Sequence, residues 1–300
     1  MDDLSETGPD VDAIIERALA EDLASGDVTS RAIVPVALQR RARMVAKAPL
    51  VMAGGAIVER VFARVEPAVE VTRTIQDGAQ VAPGTVLARL HGPARGLLAG
   101  ERTALNLLQR MCGVATLTRS FVEALAPSGE AAAQRAAGCR IVDTRKTMPG
   151  LRALDRYAVR CGGGHNHRND LGAAVLIKEN HIRCAGGVGA AIRAARQHAP
   201  HTMRVECEVQ TLVELREALG AGADIVMLDN MDNEQVREAV QLTRETCGER
   251  VKIEVSGGIT RERVGVLARL GVDVISVGRL THSVPASDIS MLFDLDGTIA

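Results

Sequence analysis

Residues 252–258 read Lys-Ile-Glu-Val-Ser-Gly-Gly, a short apolar strand pattern that ends in a polar, glycine-rich turn. Such runs are typical of buried parallel strands. Five more of them lie within residues 139–277, mostly separated by helical segments: Cys139–Val142, Val175–Ile177, Met203–Val209, Ile225–Leu228 and Val274–Val277. Strands that alternate with helices favour an α/β fold with a parallel sheet, here a TIM-like β/α barrel with about six or seven strands. An open doubly wound sheet is the alternative.

The first part of the chain has a different pattern. Apolar residues recur at helical spacing from Val11 to Asp22, and a second helix is expected near Gly54–Arg64. Short alternating runs at Arg41–Lys47 and Val69–Thr72 predict small antiparallel strands. A long run of Leu, Ala and Met at helical period extends from about Ala94 to Leu125. Together these patterns predict an α+β N-terminal domain.

We place this domain at residues 1–125, joined by the C-terminal segment 286–300, and the barrel at 126–285.

Phe293–Thr298 spells the Asp-x-Asp-Gly-Thr motif of haloacid-dehalogenase-type phosphatases. That motif must be followed by the rest of its own fold, whereas here the chain ends two residues later. We therefore expect a C-terminal strand and turn that pack on the first domain. The alanine-rich patch Ala131–Ala133 is expected to be a surface helix or loop.

The composition excludes several classes of protein. Hydrophobic residues make up 46% of the chain and aromatic residues 1%, so the core must be built from small aliphatic side chains. A net charge of -1 offers no basic excess for nucleic acid or an anionic membrane surface. The six cysteines form no C-x-x-C pair, which predicts a reduced, cytoplasmic protein. The acidic N-terminus and the lack of an apolar run of about 18 residues predict neither a signal peptide nor a membrane span.

The carboxyl ends of the predicted strands are polar, and β/α barrels carry their active sites at that edge. The cationic side chains that come first along the predicted barrel are expected to converge on one side of its mouth. They are Arg145, Lys146, His167, Arg168 and Lys178. Such a pocket favours a small polyanion such as a dicarboxylate, because the arginine fork grips a carboxylate through two parallel hydrogen bonds. Charged residues also end strands simply because the chain leaves the core there. Six predicted strands that all end in polar residues favour an active site at this edge over that simpler explanation.

The later strand ends suggest a metal-bound phosphate donor. Glu208 and Asp229 are expected on the opposite side of the mouth, where their hard oxygens suit a Mg²⁺ that accompanies pyrophosphate. Glu206 has the same strand parity as Glu208 and is the fallback ligand. Ser256-Gly257-Gly258 and Gly278-Arg279 lie after the last two strands, where barrels often hold a phosphate with backbone N–H groups.

The glycine-rich run Gly162–His167 offers a different interpretation. Its His-x-His pattern could bind a catalytic metal, with His181, His201 and Asp229 as further ligands. However, the surrounding arginines and lysines would repel a divalent cation. We prefer a mobile loop over the site.

Several strings then match a known family: Glu101–Asn106, Asp143–Gly150, Gly162–Asn169, Leu176–His181, Met227–Asn230 and Ser256–Gly258. On these strings the sequence resembles the quinolinate phosphoribosyltransferases, also called carboxylating nicotinate-nucleotide pyrophosphorylases. The resemblance extends from Glu21 to Ser283. Cys207 departs from the aliphatic residue usual in the family, but cysteine packs as a small apolar residue.

The resemblance implies that the enzyme joins quinolinate to phosphoribosyl pyrophosphate and releases pyrophosphate and CO2. It assigns both quinolinate carboxylates to Arg145, His167, Arg168 and Lys178. Lys146 would lie between the two substrates, and Arg102 would reach quinolinate from the partner subunit. The donor side of the implied site comprises Glu208, Asp229, Ser256, Gly257, Gly258 and Gly278, and Thr144, Val277 and Arg279 complete the substrate-binding set.

The resemblance also implies Mg²⁺ at Glu208 and Asp229, directly or through water and the donor. It implies a homodimer with shared sites, or an assembly of such dimers. The expected catalytic residues are Lys146, Lys178, Glu208 and Asp229. Three alternatives stay open at this point: a nicotinate phosphoribosyltransferase that does not decarboxylate, a molybdenum-transport-associated ModD-like homologue, and a non-catalytic phosphate or nucleotide sensor.

Overall fold

The structure, a computed structural model, describes residues 8–125 and 138–294. The patch Ala131–Ala133 and the Leu295–Thr298 part of the C-terminal motif therefore lie outside the described residues. By its packing the chain divides into two compact units. The first comprises the described residues of Met1–Arg119, Lys146–Gly163 and Arg279–Ala300, and the second those of Ser120–Arg145 and Gly164–Gly278. The sequence prediction grouped 126–285 together, and that domain division stays a prediction.

The helices and strands follow the predicted order closely. The helices are α1 (Gly8–Asp22), α2 (Val28–Ile33), α3 (Gly55–Val65), α4 (Ala94–Glu123), α5 (Arg152–Cys161), α6 (Glu179–Ala185), α7 (Val188–His198), α8 (Leu212–Ala221), α9 (Asn233–Cys247), α10 (Arg261–Leu270) and α11 (Arg279–His282), with a short 3-10 turn at Gly248–Arg250. The strands are β1 (Gln39–Ala46), β2 (Leu50–Val51), β3 (Glu70–Arg73), β4 (Gln80–Val81), β5 (Val86–Pro93), β6 (Arg140–Val142), β7 (Val175–Ile177), β8 (Val205–Val209), β9 (Ile225–Asp229), β10 (Lys252–Ser256), β11 (Val274–Ser276) and β12 (Ile289–Phe293).

The first unit contains an antiparallel sheet in the order β12-β1-β5-β3 and a separate β2-β4 pair. Its core is aliphatic, with Met44 on β1, Leu90 on β5 and Leu108 on α4 almost fully buried. The C-terminal strand β12 pairs with β1 from Ala42↔Phe293 to Ala46↔Ile289. This pairing confirms the expected C-terminal strand on the first part of the chain.

The second unit contains a six-stranded parallel sheet in the order β6-β11-β10-β9-β8-β7. Neighbours in this order follow one another along the chain, except that the last strand, β11, pairs with the first, β6. A parallel bridge joins Val142 to His165 on the other side of β6. A parallel sheet that keeps the chain order of its strands and sets the last strand beside the first has the strand order of a β/α barrel, so the TIM-like prediction is confirmed and the doubly wound alternative is wrong. Within the described residues, β6 and β7 are not paired with each other.

Local signals explain the helices that surround this sheet. Thr211 caps α8, its hydroxyl oxygen accepting a hydrogen bond from Glu214 N at 3.2 Å. Asp232 and Gln235 form a reciprocal capping box at the start of α9. Gly222 ends α8 in the left-handed conformation that glycine adopts without strain. Thr211 and Asp232 thus fix where α8 and α9 begin, and Gly222 fixes where α8 ends.

The amino-terminal edge of the sheet is held by one carboxylate. Asp273 accepts hydrogen bonds from Lys252 Nζ at 2.7 Å, Arg244 Nη2 at 2.8 Å and Ile253 N at 2.9 Å. Burial opposes the charge on Asp273, but these donors outweigh it and lower the pKa of the carboxyl group. Among the described residues of the whole chain, no helix has the length and apolar character to cross a membrane.

Candidate active site

The carboxyl ends of the six parallel strands meet at one edge of the second unit. Ile177 of β7 is paired with Cys207 of β8, which places Lys178 level with Glu208. Asp229 ends β9 directly opposite Ser256 on β10. The polar side chains predicted from the strand ends are therefore brought to a common edge by the parallel register.

Lys178 and Glu208 form an ion pair, with 2.6 Å between Nζ and Oε2. The Lys178 side chain is 48% exposed and that of Glu208 is 11% exposed, so the lysine reaches outward from a nearly buried acid. The sequence predicts the cations and the carboxylates on opposite sides of the mouth. This prediction is wrong for Lys178 and Glu208, because the adjacent strands β7 and β8 place the two side chains side by side.

His181 has a structural role. Its Nδ1 accepts a hydrogen bond from Lys178 N at 2.9 Å, which completes the cap at the start of α6. His165 takes part in the backbone bridge to β6, and burial lowers the pKa of its ring. Within the described residues, the one group of three or more possible metal ligands whose ligand atoms lie within 4.8 Å of one another is His167, Glu206 and Glu254. The His-x-His metal site with His181, His201 and Asp229 is therefore not formed.

The His167 ring points at two buried acids. Nε2 lies 3.4 Å from Glu206 Oε2 and 3.5 Å from Glu254 Oε2. Glu206 and Glu254 are 5% and 3% exposed, so the three groups interact with little solvent screening. On each acid the other oxygen, Oε1, is buried without a hydrogen-bond partner among the described residues. We call His167, Glu206 and Glu254 the buried triad.

The protonation of the ring follows from its two contacts. Burial opposes a charge on His167, but Glu206 and Glu254 outweigh it and raise its pKa to about 10. On the other side of the ring, Nδ1 lies 2.8 Å from Arg168 N, whose N–H can donate only to an unprotonated nitrogen. The carboxylates thus favour the imidazolium and the amide favours the neutral ring. In both states Nε2 carries a proton directed at the acids.

The carboxyl group of Glu206 is easier to protonate than that of a solvated glutamate. Burial raises the pKa of Glu206, and the neighbouring charge of Glu254 adds to that rise, while His167 opposes it.

Another buried acid fixes the same segment. Asp143, directly after β6 and fully buried, accepts from His167 N at 2.7 Å and from Asn166 Nδ2 at 2.6 Å. The backbone of His167 is thus tied to the end of β6 while its ring is tied to β8 and β10.

Arg168 and Arg145 lie within electrostatic reach of each other. Burial lowers the pKa of Arg168, and the charge of Arg145 lowers it further. Arg168 Nη1 also donates to Ala174 O at 3.1 Å. Thr144 and Arg145 are both half-buried after β6. Two guanidinium groups that repel each other at one strand edge make a local excess of positive charge, which an anion would relieve.

The ends of β9 and β10 form a tight glycine turn. A Cβ at Gly257 would lie 2.2 Å from Asn230 Oδ1, and Gly257 has a φ of 88°. Asn230 itself has a φ of 56°, and its Nδ2 donates to Asp229 Oδ2 at 2.8 Å. The close approach requires glycine at 257 and fixes the Asp229 carboxylate. Beyond β11, Val277 is buried and Gly278 half-buried.

Three predicted site residues belong to the first unit. Arg102 on α4 and Arg279 at the start of α11 are exposed. Lys146 is also exposed, and its carbonyl accepts from Thr281 Oγ1 at 2.9 Å. The same unit contains a buried ion pair between Arg110 and Asp155, with 2.9 Å between Nη2 and Oδ2.

The sequence interpretation missed Glu254, Asp143 and Asn166. Glu254 has the same strand parity as Ser256, and an acid inside an apolar strand was the available signal. Asp143 begins one of the strings that match the family, but no role follows for it from the sequence. Their contacts depend on which strands are neighbours, which no local pattern gives.

Comparisons with known proteins agree over most of the chain. A family model described as the quinolinate phosphoribosyl transferase C-terminal domain matches residues 114–292, and one described as the N-terminal domain matches residues 27–112. A probable carboxylating nicotinate-nucleotide pyrophosphorylase of Bacillus subtilis (strain 168) is 42% identical, covering 93% of this chain and 91% of its own length. A decarboxylating quinolinate phosphoribosyltransferase of Nicotiana tabacum is 38% identical, covering 96% and 83%. The solved nicotinate-nucleotide pyrophosphorylase of Francisella tularensis superposes with a TM-score of 0.85 at 35% identity, covering 95% and 96%.

Proposed function

The chain belongs to the quinolinate phosphoribosyltransferase family, and we propose that the carboxyl edge of its barrel is the active site of that reaction. The chain is a decarboxylating phosphoribosyltransferase, which converts quinolinate and phosphoribosyl pyrophosphate into nicotinate mononucleotide, pyrophosphate and CO2. The observation that supports the placement of the site is the parallel register of the strands, which brings Lys178, Glu208 and Asp229 to one edge of the sheet.

The proposed quinolinate pocket is cationic. Arg145, Arg168 and Lys178 would bind the two carboxylates, with His167 beside them. Lys178 Nζ already lies against Glu208, so its charge is oriented before the substrate arrives. Lys146 would stand between quinolinate and the donor, as the family resemblance implies. Two adjacent carboxylates need several positive charges, which explains the number of cations gathered here.

The proposed donor site lies at the later strands. Glu208 and Asp229 fit Mg²⁺, because both offer hard oxygen ligands at the ends of neighbouring strands β8 and β9. When bound, the metal would neutralise charge on the pyrophosphate group. Backbone N–H groups would bind the donor phosphate, and the residues proposed for the donor side are Thr144, Ser256, Gly257, Gly258, Val277, Gly278 and Arg279.

The reaction needs positioning more than a protein nucleophile. The pyridine nitrogen attacks C1 of the ribose while pyrophosphate leaves. When the adjacent carboxylate departs as CO2, its bonding electron pair stays on the ring carbon, where the neighbouring positive nitrogen stabilises it. A proton from solvent then adds to that carbon and gives the nicotinate ring. Holding two mutually repelling anions in contact costs free energy, which the cations of the pocket offset in a site of restricted water.

We also propose a homodimer with shared sites, or an assembly of such dimers, in a cytoplasmic setting. Arg102 is exposed on α4, as a residue offered to a partner would be. Mixing the inactive variants Arg102→Ala and Lys178→Ala should restore part of the activity, because one of the two sites in a mixed dimer is then intact. Verified mixed dimers with no recovered activity would place each site within one chain.

A product assay tests the function itself. Purified protein with Mg²⁺, quinolinate and phosphoribosyl pyrophosphate should release CO2 and pyrophosphate in equal amounts. Nicotinate in place of quinolinate is the matched control, since it lacks the carboxylate that is lost. Turnover of nicotinate alone would identify a non-decarboxylating enzyme, and tight donor binding without pyrophosphate release would identify a sensor.

A further inference from the structure

We propose that Glu206 and Glu254 are positioning residues of the quinolinate pocket: they hold the His167 ring below the mouth and, through that ring, fix the direction of Arg168. The proposal rests on the proposed function, because it takes Arg168 as a carboxylate ligand. It concerns residues to which the family resemblance assigned no such role, and Glu254 had no role at all.

The first step is the grip on the ring. Glu206 comes from β8 and Glu254 from β10, so the two acids approach Nε2 from strands on either side of β9. Both are almost fully buried, and the His167 side chain is 14% exposed. A ring held from two directions in a packed interior has one orientation.

The second step passes through the other nitrogen. His167 Nδ1 lies 2.8 Å from Arg168 N, and Asp143 Oδ1 accepts from His167 N at 2.7 Å. When the ring is neutral and its proton is on Nε2, two successive amides are fixed, one by Asp143 and one by the ring. Arg168 then leaves this segment in a defined direction, and its guanidinium donates to Ala174 O at 3.1 Å.

The third step concerns what His167 can still do. Nε2 faces the two acids and Nδ1 faces the Arg168 amide, so protein groups engage both ring nitrogens. A ring engaged in this way acts on the substrate through its neighbour. His167 is accordingly a positioning residue too, and Arg168 makes the contact with the carboxylate.

The buried Oε1 atoms support a functional origin for the arrangement. Glu206 and Glu254 each keep one buried oxygen that no described residue satisfies. Such groups cost stability, and folded proteins keep them where a task requires them. A neutral apolar core at these positions would be more stable but would leave the ring without its partners.

The matched variants are Glu254→Gln and Glu206→Gln, which keep the shape and remove one acid at a time. The control is Asp273→Asn, an acid at the opposite edge of the same sheet. We expect each glutamine variant to raise the KM for quinolinate roughly 10- to 100-fold, the range for disturbed positioning. The KM for the donor should stay near the wild-type value, and the control should change neither KM. A folded Glu254→Gln with unchanged KM for quinolinate overturns the proposal.

Nuclear magnetic resonance of histidine-labelled wild-type protein tests whether Glu206 and Glu254 hold the His167 ring. It does not depend on the folding of any variant at the two acids. The His167 signal is assigned by its loss in His167→Gln. We expect a proton on Nε2 and none on Nδ1 in the wild type, whereas a proton on Nδ1, alone or together with one on Nε2, overturns the proposal. Because this readout needs no turnover, it separates failure of the triad from failure of the proposed function, which the CO2 assay detects.

Discussion

The two edges of the barrel sheet use the same residue types in opposite ways. At the amino-terminal edge, Asp273 accepts from Lys252, Arg244 and a backbone amide, and these donors lower its pKa. At the carboxyl-terminal edge, Glu206 and Glu254 each keep a buried oxygen unsatisfied among the described residues, and burial raises the pKa of Glu206. The first edge is arranged for stability, and the second gives up stability to orient cations.

The lysines at the two edges differ in their partners and not in their exposure, which is 41% for the Lys252 side chain and 48% for that of Lys178. Lys252 at the amino-terminal edge shares Asp273 with Arg244 in a network of three charges. Lys178 at the carboxyl-terminal edge pairs with Glu208. Barrels generally carry stability residues at one face and catalytic residues at the other. Variants at the two edges should therefore separate activity from stability.

The largest effect is expected for Lys146, which follows β6 on the carboxyl side. Lys146→Ala should lower kcat by about 100-fold or more, the scale for loss of an electrostatic stabiliser. The lysine side chain is exposed, so the melting temperature should stay close to that of the wild type. Steady-state kinetics with both substrates saturating checks this, and near-normal turnover would remove Lys146 from the mechanism.

A smaller effect is expected at the glycine turn. Gly257→Ala places a Cβ 2.2 Å from Asn230 Oδ1 at a φ of 88°, so the turn must shift. We expect the KM for phosphoribosyl pyrophosphate to rise roughly tenfold. The KM for quinolinate should change less, because its proposed ligands lie on other strands. Gly248→Ala is a suitable control, since Gly248 also has a positive φ but open space around it. Equal effects of both variants would contradict a donor site at Gly257.

A variant at the amino-terminal edge should lower stability and leave activity unchanged. Asp273→Asn weakens hydrogen bonds from two cations and should lower the free energy of unfolding by about 1–3 kcal/mol. Both KM values and kcat should be unchanged at a temperature where the variant is folded. Urea unfolding measures the first quantity and initial rates the others. A change in KM without loss of stability would contradict the claim that the amino-terminal edge serves stability and the carboxyl-terminal edge serves activity.

The smallest effect is a dependence on pH. The folded state lowers the pKa of Asp273 below its ordinary value of 3.8, so its contribution is present above that value and is lost as pH falls through the folded pKa. The stability difference between wild type and Asp273→Asn should therefore be largest near neutral pH and shrink below about pH 4. Urea unfolding at a series of pH values measures it. If the stability difference between the two proteins stays constant down to acidic pH, the negative charge of Asp273 does not contribute to stability.

The sequence was enough to predict where the strands of the barrel lie along the chain, because short apolar runs with polar ends are a local signal. It did not predict the β2-β4 pair or the bridge at His165, since strands of one or two residues have no periodicity. The edge on which Lys178 and Glu208 lie was predictable, but their contact was not, because pairing depends on which strands are neighbours. Glu254 was missed for the same reason, as its partner His167 lies far away in the chain.

Calorimetric titration of quinolinate tests most directly whether the carboxyl-terminal edge is the site. The wild type, Arg168→Ala and Asp273→Asn should be compared at one pH and salt concentration. Binding should be lost or weakened about 100-fold in Arg168→Ala, because a carboxylate loses its paired donor, and retained in Asp273→Asn. Equal binding by all three proteins would contradict the assignment of the two edges.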